Sequence, residues 1–360
     1  TVLRKPFGSL RQIHSTARMV HCFAIGAKLG RPGAEDIVDH GMRFLWKGHR
    51  DEKHGGYCWS LDDDGYRDET KQAYGHAFVL LAAADAKMLG HPDADRLLAD
   101  ITETLETRFW EEKHGAVSEE YARDWSKITD YRGQNSNMHL TESLMAAFEA
   151  TGDATYLGKA KRIASLIIGR HAASLDSAGG DHLVSHGNPA KAYRARDVSP
   201  PAGTPRGHWL EWARLMAQLW VLDGKKEAWH IEAAAKLFRA ACTRGWDKER
   251  GGFYYTLDFD SRPALTHKIW WPATEAIGAA AFLNAISPDS FYEEWYRKVW
   301  NFSANHLIDP ANGGWYGELG HDLKPIDKFF TGKPDIYHAL QACLIPLYPP
   351  VGSLMRAVES

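Results

Sequence analysis

A polar residue, usually histidine, recurs at the start of an apolar helical pattern: His14, His76, His139, His208, Glu275 and His338, at intervals of 62, 63, 69, 67 and 63 residues. A second marker keeps the same beat. Gly55-Gly56-Tyr57, Gly251-Gly252-Phe253 and Gly313-Gly314-Trp315 are full copies, and His114-Gly115-Ala116 and Gly179-Gly180-Asp181 are degraded ones. Self-similarity at such a period means that one supersecondary unit has been copied, then stacked or closed into a ring. Six polar residues at one phase are then expected to converge.

Each copy reads as helix, loop, helix and a short hairpin. In the first, Met19, Val20, Phe23, Ala24 and Ala27 fall on one face of a helix over 16–29, which Gly30 and Pro32 stop. Ile37, Val38, Met42 and Leu45 do the same for a second helix over 34–46. Residues 57–66 then read as strand, turn, strand, with Gly65 supplying a positive φ. Later first helices are expected over 72–89, 138–150, 208–222, 274–285 and 336–347, and 95–110 is a returning second helix. Small residues such as Ala82-Ala83-Ala84 suit close helix contacts. The pattern predicts an all-α fold, an (α/α)6 barrel of helical hairpins with first helices inside, second helices outside and short β-hairpins on one rim. Pro6 to Leu10 reads as the remnant of a sixth repeat, which an outer helix ahead of residue 1 would complete.

A length of 360 residues alone would favour two or three domains. The uninterrupted beat argues instead for one catalytic domain over 1–360, with the proline-bearing stretch 197–207 as a long loop inside one repeat. Forty-three basic and 46 acidic side chains give a net charge of -3 with no basic stripe, so neither nucleic acid nor a membrane surface is the expected partner. No apolar run approaches the roughly 20 residues that span a bilayer, and no signal peptide is read. Cys22, Cys58, Cys242 and Cys343 are dispersed, which suits a reducing, cytoplasmic setting. There is no His-Glu-x-x-His, phosphate loop or dinucleotide fingerprint, and Asp62-Asp63-Asp64-Gly65 is a hairpin turn rather than a calcium loop. The expected site therefore holds no metal and no cofactor. Oligomeric state is not readable.

Loops leading into first helices of one barrel share a rim, so their polar residues are the site candidates. Gly203-Thr-Pro-Arg-Gly-His208-Trp-Leu-Glu211-Trp212 is the densest: His208 and Glu211 are three apart, on one helical face, where a carboxylate can orient an imidazole. A bland reading of this stretch is a capped helix with an amphipathic Trp pair, but Arg194, Arg206 and Glu211 weigh toward function. His338, in Asp335-Ile-Tyr-His338, matches the phase of His208. Tyr131-Arg-Gly-Gln-Asn135-Ser-Asn-Met-His139 packs polar groups that are costly to bury without a polar ligand, with Ser136 and Asn137 read as helix caps. Arg18, amid Ala17, Met19 and Val20, is an expensive buried charge unless it meets an anion or a developing oxyanion. His21, His40, His91 and His114 read as surface or loop-end residues. The aromatic content of 12% supplies rings for sugar faces.

The segments Thr16-Ala-Arg18-Met-Val-His21, Arg132-Gly-Gln-Asn135-Ser-Asn-Met-His139, Gly203 to Trp212, Trp271-Pro-Ala-Thr-Glu275 and Asp335-Ile-Tyr-His338 together resemble the N-acylglucosamine 2-epimerase superfamily of (α/α)6 barrels. The resemblance runs through essentially the whole chain. It implies His208 and His338 as an acid/base pair with Glu211 beside the first, Arg18 as a stabiliser of enediolate charge, and Tyr74, Asn135, His139, Arg194, Trp271 and Glu275 as sugar-pocket residues. The Asp-x-Tyr-His ending is similar to the isomerase branch, and Pro334 stands where sulfoquinovose isomerases carry Gln, which favours the mannose isomerase side. The implied reaction is D-mannose to D-fructose by proton transfer through a cis-enediol, without cofactor, on a free monosaccharide. Rival readings are a sugar 2-epimerase, a sulfoquinovose isomerase, a glycoside hydrolase using Glu211 and Glu275, and a noncatalytic sugar-binding protein.

Overall fold

The computed structural model describes residues 8–172, 182–183, 204–257 and 262–360, with side chains described throughout except at 171–172, 182–183 and 204–206. The chain divides into two compact units, one from the described residues of 3–167, 182–189 and 358–360, the other from those of 168–181 and 190–357.

The first unit holds three helical hairpins: α1 (Ile13–Lys28) with α2 (Ala34–Phe44), α3 (Ala73–Leu89) with α4 (Ala94–Thr104), and α5 (Gln134–Thr151) with α6 (Ala154–Ala164). The first helices pack side by side, α1 on α3 and α3 on α5, while each second helix packs on its own partner. Their compositions follow from this placement. Helix α3 is apolar nearly all round and buried from Ala73 to Ala86 almost without interruption, as a helix covered on all sides must be. Helices α2 and α4 bury single stripes, Val38 and Met42 in one, Leu97, Leu98 and Ile101 in the other. The second unit repeats the scheme with α7 (Arg206–Leu222) and α8 (Ala228–Gly245), α9 (Trp270–Ile286) and α10 (Ser290–Phe302), and α11 (Tyr337–Leu344) against α9. The sheets of the described residues have two or three short antiparallel strands; some are hairpins, such as Ser60–Asp62 with Gly65–Asp68, where Gly65 has φ +116°, and others join distant segments, such as Lys71–Gln72 with Glu120–Tyr121.

Several first helices begin earlier than their apolar periodicity predicts. Helix α5 starts at Gln134, not Met138, and α9 at Trp270, not Thr274. The leading turns are polar or aromatic, so hydrophobic spacing does not mark them. Second helices end sooner: α2 and α4 give way to single wider turns at Leu45–His49 and Leu105–Phe109.

The Gly-Gly markers are turns with two consecutive left-handed residues. Gly55 and Gly56 have φ of +73° and +65°, and the pairs at 251–252 and 313–314 behave alike. Only glycine adopts such a pair without strain. In each full copy an aspartate brackets the turn with its backbone: the Asp51 amide donates to Gly56 O and the Gly55 amide to Asp51 O, both at 2.8 Å, and Asp247 and Asp309 do the same. Each Asp side chain then accepts from a lysine just ahead of the next first helix: Lys71 to Asp51 at 3.0 Å, Lys268 to Asp247 at 3.0 Å, and Lys333 to Asp309 at 2.7 Å. The degraded copy at His114-Gly115 keeps the device in another alphabet, with Arg132 donating to Glu111.

Candidate active site

Counting from these helix starts reorganises the beat. The second residues of the six first helices are His14, Tyr74, Asn135, Gly207, Trp271 and His338, and the sixth residues are Arg18, Phe78, His139, Glu211, Glu275 and Ala342. Positions four apart share a helical face, so these two rows look the same way. His76 is a fourth residue and points elsewhere. It is fully buried, bonded to the Gln72 carbonyl (2.8 Å) and accepting from the Tyr57 amide (3.0 Å). Burial pushes its pKa down to about 3. The expectation of six residues at one phase is thus corrected: the markers repeat with the helices but occupy four different helical positions.

In the second unit the site candidates His208, Glu211, Trp271, Glu275 and His338 lie on α7, α9 and α11. The rings of His208 and His338 stand 5.2 and 5.8 Å from that of Trp271. Gly207 makes room for that indole, since a Cβ there would lie 2.1 Å from it. His338 Nδ1 is 2.7 Å from Glu275 Oε1. A carboxylate only accepts, so Nδ1 carries the proton and Nε2 is left as the basic nitrogen. Arg214 Nε donates to the other oxygen, Glu275 Oε2, at 2.9 Å, and a second nitrogen lies 3.8 Å from Glu211 Oε1. Glu211, Arg214 and Glu275 are each 1% exposed. Burial alone would raise the Glu275 carboxyl, but the Arg214 charge and the bonds from His338 and Arg214 outweigh it and hold the pKa below the ordinary value. Glu275 thus accepts from His338 on one oxygen and from Arg214 on the other, which holds the carboxylate, and with it the imidazole, in one orientation.

In the first unit Arg18, Tyr74, Asn135 and His139 lie on α1, α3 and α5. Arg18 is 7% exposed, donates to the Tyr74 hydroxyl at 2.8 Å, and stacks its guanidinium 4.4 Å from the centroid of Phe78. His139 packs edge-on to Tyr74 at 5.2 Å and sets Nδ1 3.5 Å from Glu142. Asn135 is half-buried in the first turn of α5. His14 stacks on Trp59 at 5.0 Å, an aromatic packing role. Arg194 lies outside the described residues, and the side chain of Arg206 likewise.

Two readings of polar residues change. Ser136 and Asn137 are not helix caps: Ser136 donates to Glu119, and Asn137 bonds both backbone groups of Val117 and the Gly133 carbonyl. They fasten a hairpin to α5. His21 is buried, not superficial, and pairs with Asp85 at 2.5 Å. The residue most clearly missed is Arg214. Its signal was present, since Glu211, Arg214 and Gln218 form a polar i, i+3, i+7 stripe on a helix rich in Trp and Leu.

Helical hairpins in tandem, with histidines and buried carboxylates near the starts of their first helices, define a family. Residues 6–342 match the N-acylglucosamine 2-epimerase (GlcNAc 2-epimerase) family, and the chain belongs to it. It is 39% identical over 353 residues to a D-mannose isomerase of Pseudomonas cannabina pv. alisalensis, covering 96% of this chain and 85% of that protein. A D-mannose isomerase of Thermobifida fusca is 40% identical over 351 residues, at 96% and 86% coverage. A crystal structure of D-mannose isomerase matches with a TM-score of 0.88 and 33% identity over 95% of this chain and 89% of that one. The fold class is the (α/α)6 barrel that the repeat predicted.

Proposed function

We propose that the chain interconverts D-mannose and D-fructose by proton transfer through a cis-enediol. The observation that carries this reading is the Glu275–His338 pair, which leaves one imidazole nitrogen unprotonated on a ring held beside Trp271. In the proposed sequence His208 moves the proton between O5 and O1 as the ring opens. His338 Nε2 then takes the proton from C2; the C2–H electrons form the C1–C2 double bond while the carbonyl electrons move onto O1. A proton shifts from O2 to O1, the C2 carbonyl forms, and His338 returns its proton to C1. Arg18 and His139 supply positive charge and a hydrogen-bond donor for the oxygens as the enediolate forms. Tyr74, Asn135, Arg194, Trp271 and Glu275 are proposed to line the sugar site, with Glu211 supporting the acid/base pair. The reading treats the whole chain as one catalytic domain, supported by a repeat that runs through both units. It places the enzyme in the cytoplasm, supported by the wide spacing of four cysteines.

The hydrolase reading loses support from the same geometry. Arg214 lies between Glu211 and Glu275, and all three are 1% exposed, so the two carboxylates face a buried guanidinium rather than a glycosidic bond and its water.

The test is proton NMR of mannose in deuterated water. Fructose should appear, and His338→Ala should lower turnover by about 10²–10⁴-fold. Wild-type turnover in His338→Ala would overturn the mechanism, and glucose without any ketose would select the 2-epimerase instead.

A further inference from the structure

The acid/base pair has a support that the family likeness does not name. On α7, Arg214 holds Glu275 through Nε, while its Nη1 donates to Gln218 Oε1 at 3.1 Å and Gln218 Nε2 donates to the Gly352 carbonyl at 3.1 Å. The chain of bonds thus runs from backbone near the end of the described chain to the imidazole of His338, through side chains that are 1% to 6% exposed.

A carboxylate bound to a histidine alone can swing about its own χ angles, and the imidazole follows. One bound on its second oxygen by a guanidinium cannot. The planar guanidinium, anchored on its far side by Gln218, fixes where that oxygen is bonded, which the point charge of lysine does not. We infer that Arg214 is a positioning residue for the proposed isomerisation, fixing the rotamer of Glu275 and through it the ring orientation and tautomer of His338. The role rests on the function proposed above, but its first readout does not. Among the described side chains, the charged and titratable groups about His338 are Glu275 on α9, Glu211 and Arg214 on α7, and His208 across Trp271. Removing the guanidinium frees the second oxygen of Glu275, so the carboxylate can rotate and the imidazole with it.

Nitrogen-15 NMR of the histidine rings, on the full chain without sugar, is the first arm. In its neutral form His338 should report protonated Nδ1 and bare Nε2 in the wild type. In Arg214→Gln that tautomer should lose its dominance, the two ring nitrogens moving toward one averaged shift. The second arm is kinetic: kcat on mannose should fall about 10²-fold with KM within a factor of three. Arg214→Lys should recover the tautomer and the rate only in part. Should Arg214→Gln not fold, Gln218→Met carries the test, with smaller changes in the same directions. Unchanged His338 signals together with an unchanged kcat overturn the inference. A chain inactive on mannose but with the shifted His338 signal sinks the proposed function and leaves the positioning role standing.

Discussion

Lys268 reaches back across 21 residues to place its ammonium 3.0 Å from Asp247 Oδ2, with both side chains at most 3% exposed. This bond ties the Gly251-Gly252 turn to the strand residue that launches α9, and Trp271 follows three residues later. Lys71 stands in the same relation to Asp51 and Tyr74, and Arg132 to Glu111 and Asn135. The ion pair therefore sets the depth at which each of these site candidates leaves its loop. Burial pushes the Lys268 pKa down, and the pairing with Asp247 pulls against it.

Breaking that pair should be worse than removing it. Lys268→Met leaves Asp247 buried without its cation, held only by the Glu249 and Arg250 amides, and a loss of about 3–5 kcal/mol is expected in urea unfolding. The double variant Asp247→Asn with Lys268→Met should recover part of that loss. Additive losses would show that the two groups do not act as a pair.

Gly207→Ala should damage activity more than stability. The new Cβ meets Trp271 at 2.1 Å, and the indole that both histidines pack against must move. Turnover on mannose is expected to drop about 10²-fold, with a changed near-ultraviolet dichroism spectrum and a far-ultraviolet spectrum like the wild type. An unaltered Trp environment would mean that the helix start, not the indole, gives way.

Stability should decline as pH falls below neutrality. Burial pushes His76 down to about 3 and His49 to about 4, from 6.5. Both folded-state values lie below the unfolded one, so the unfolded chain binds the extra protons. Their contribution is complete above pH 6.5 and is lost progressively toward 4 for His49 and 3 for His76. Each should add a slope of about 1.4 kcal/mol per pH unit well below 6.5. His76→Gln should remove one proton from the measured uptake between pH 6 and 4.5, and an unchanged slope would refute the assignment.

Asn137→Ala should cost about 2–4 kcal/mol, because it strands the Val117 amide and removes the bonds to the Val117 and Gly133 carbonyls. Asn137→Asp should be nearly as harmful, since a carboxylate cannot donate to the two carbonyls. Thermal unfolding checks both.

The repeat, the helix count and the family were legible because periodicity survives in one dimension: apolar spacing, paired glycines and histidines recur whatever the chain packs against. The Gly-Gly turns were readable for the same reason, since two successive left-handed residues admit almost nothing else. The phase of the beat was not. His76 and His139 look equivalent in the sequence, yet one is a fourth residue and the other a sixth, and only the true helix starts, hidden by polar first turns, separate them.

What the sequence by itself determined is the unit that is copied and the residue types that its first helices carry. The tertiary structure decided which of them meet. Arg214 and Glu275 are 61 residues apart, as are no two groups that a helical wheel can compare, and their bond exists only because α7 packs on α9. The physical reason is that a buried charge is tolerable only beside its partner, and the packing of helices, not the order of residues, chooses that partner.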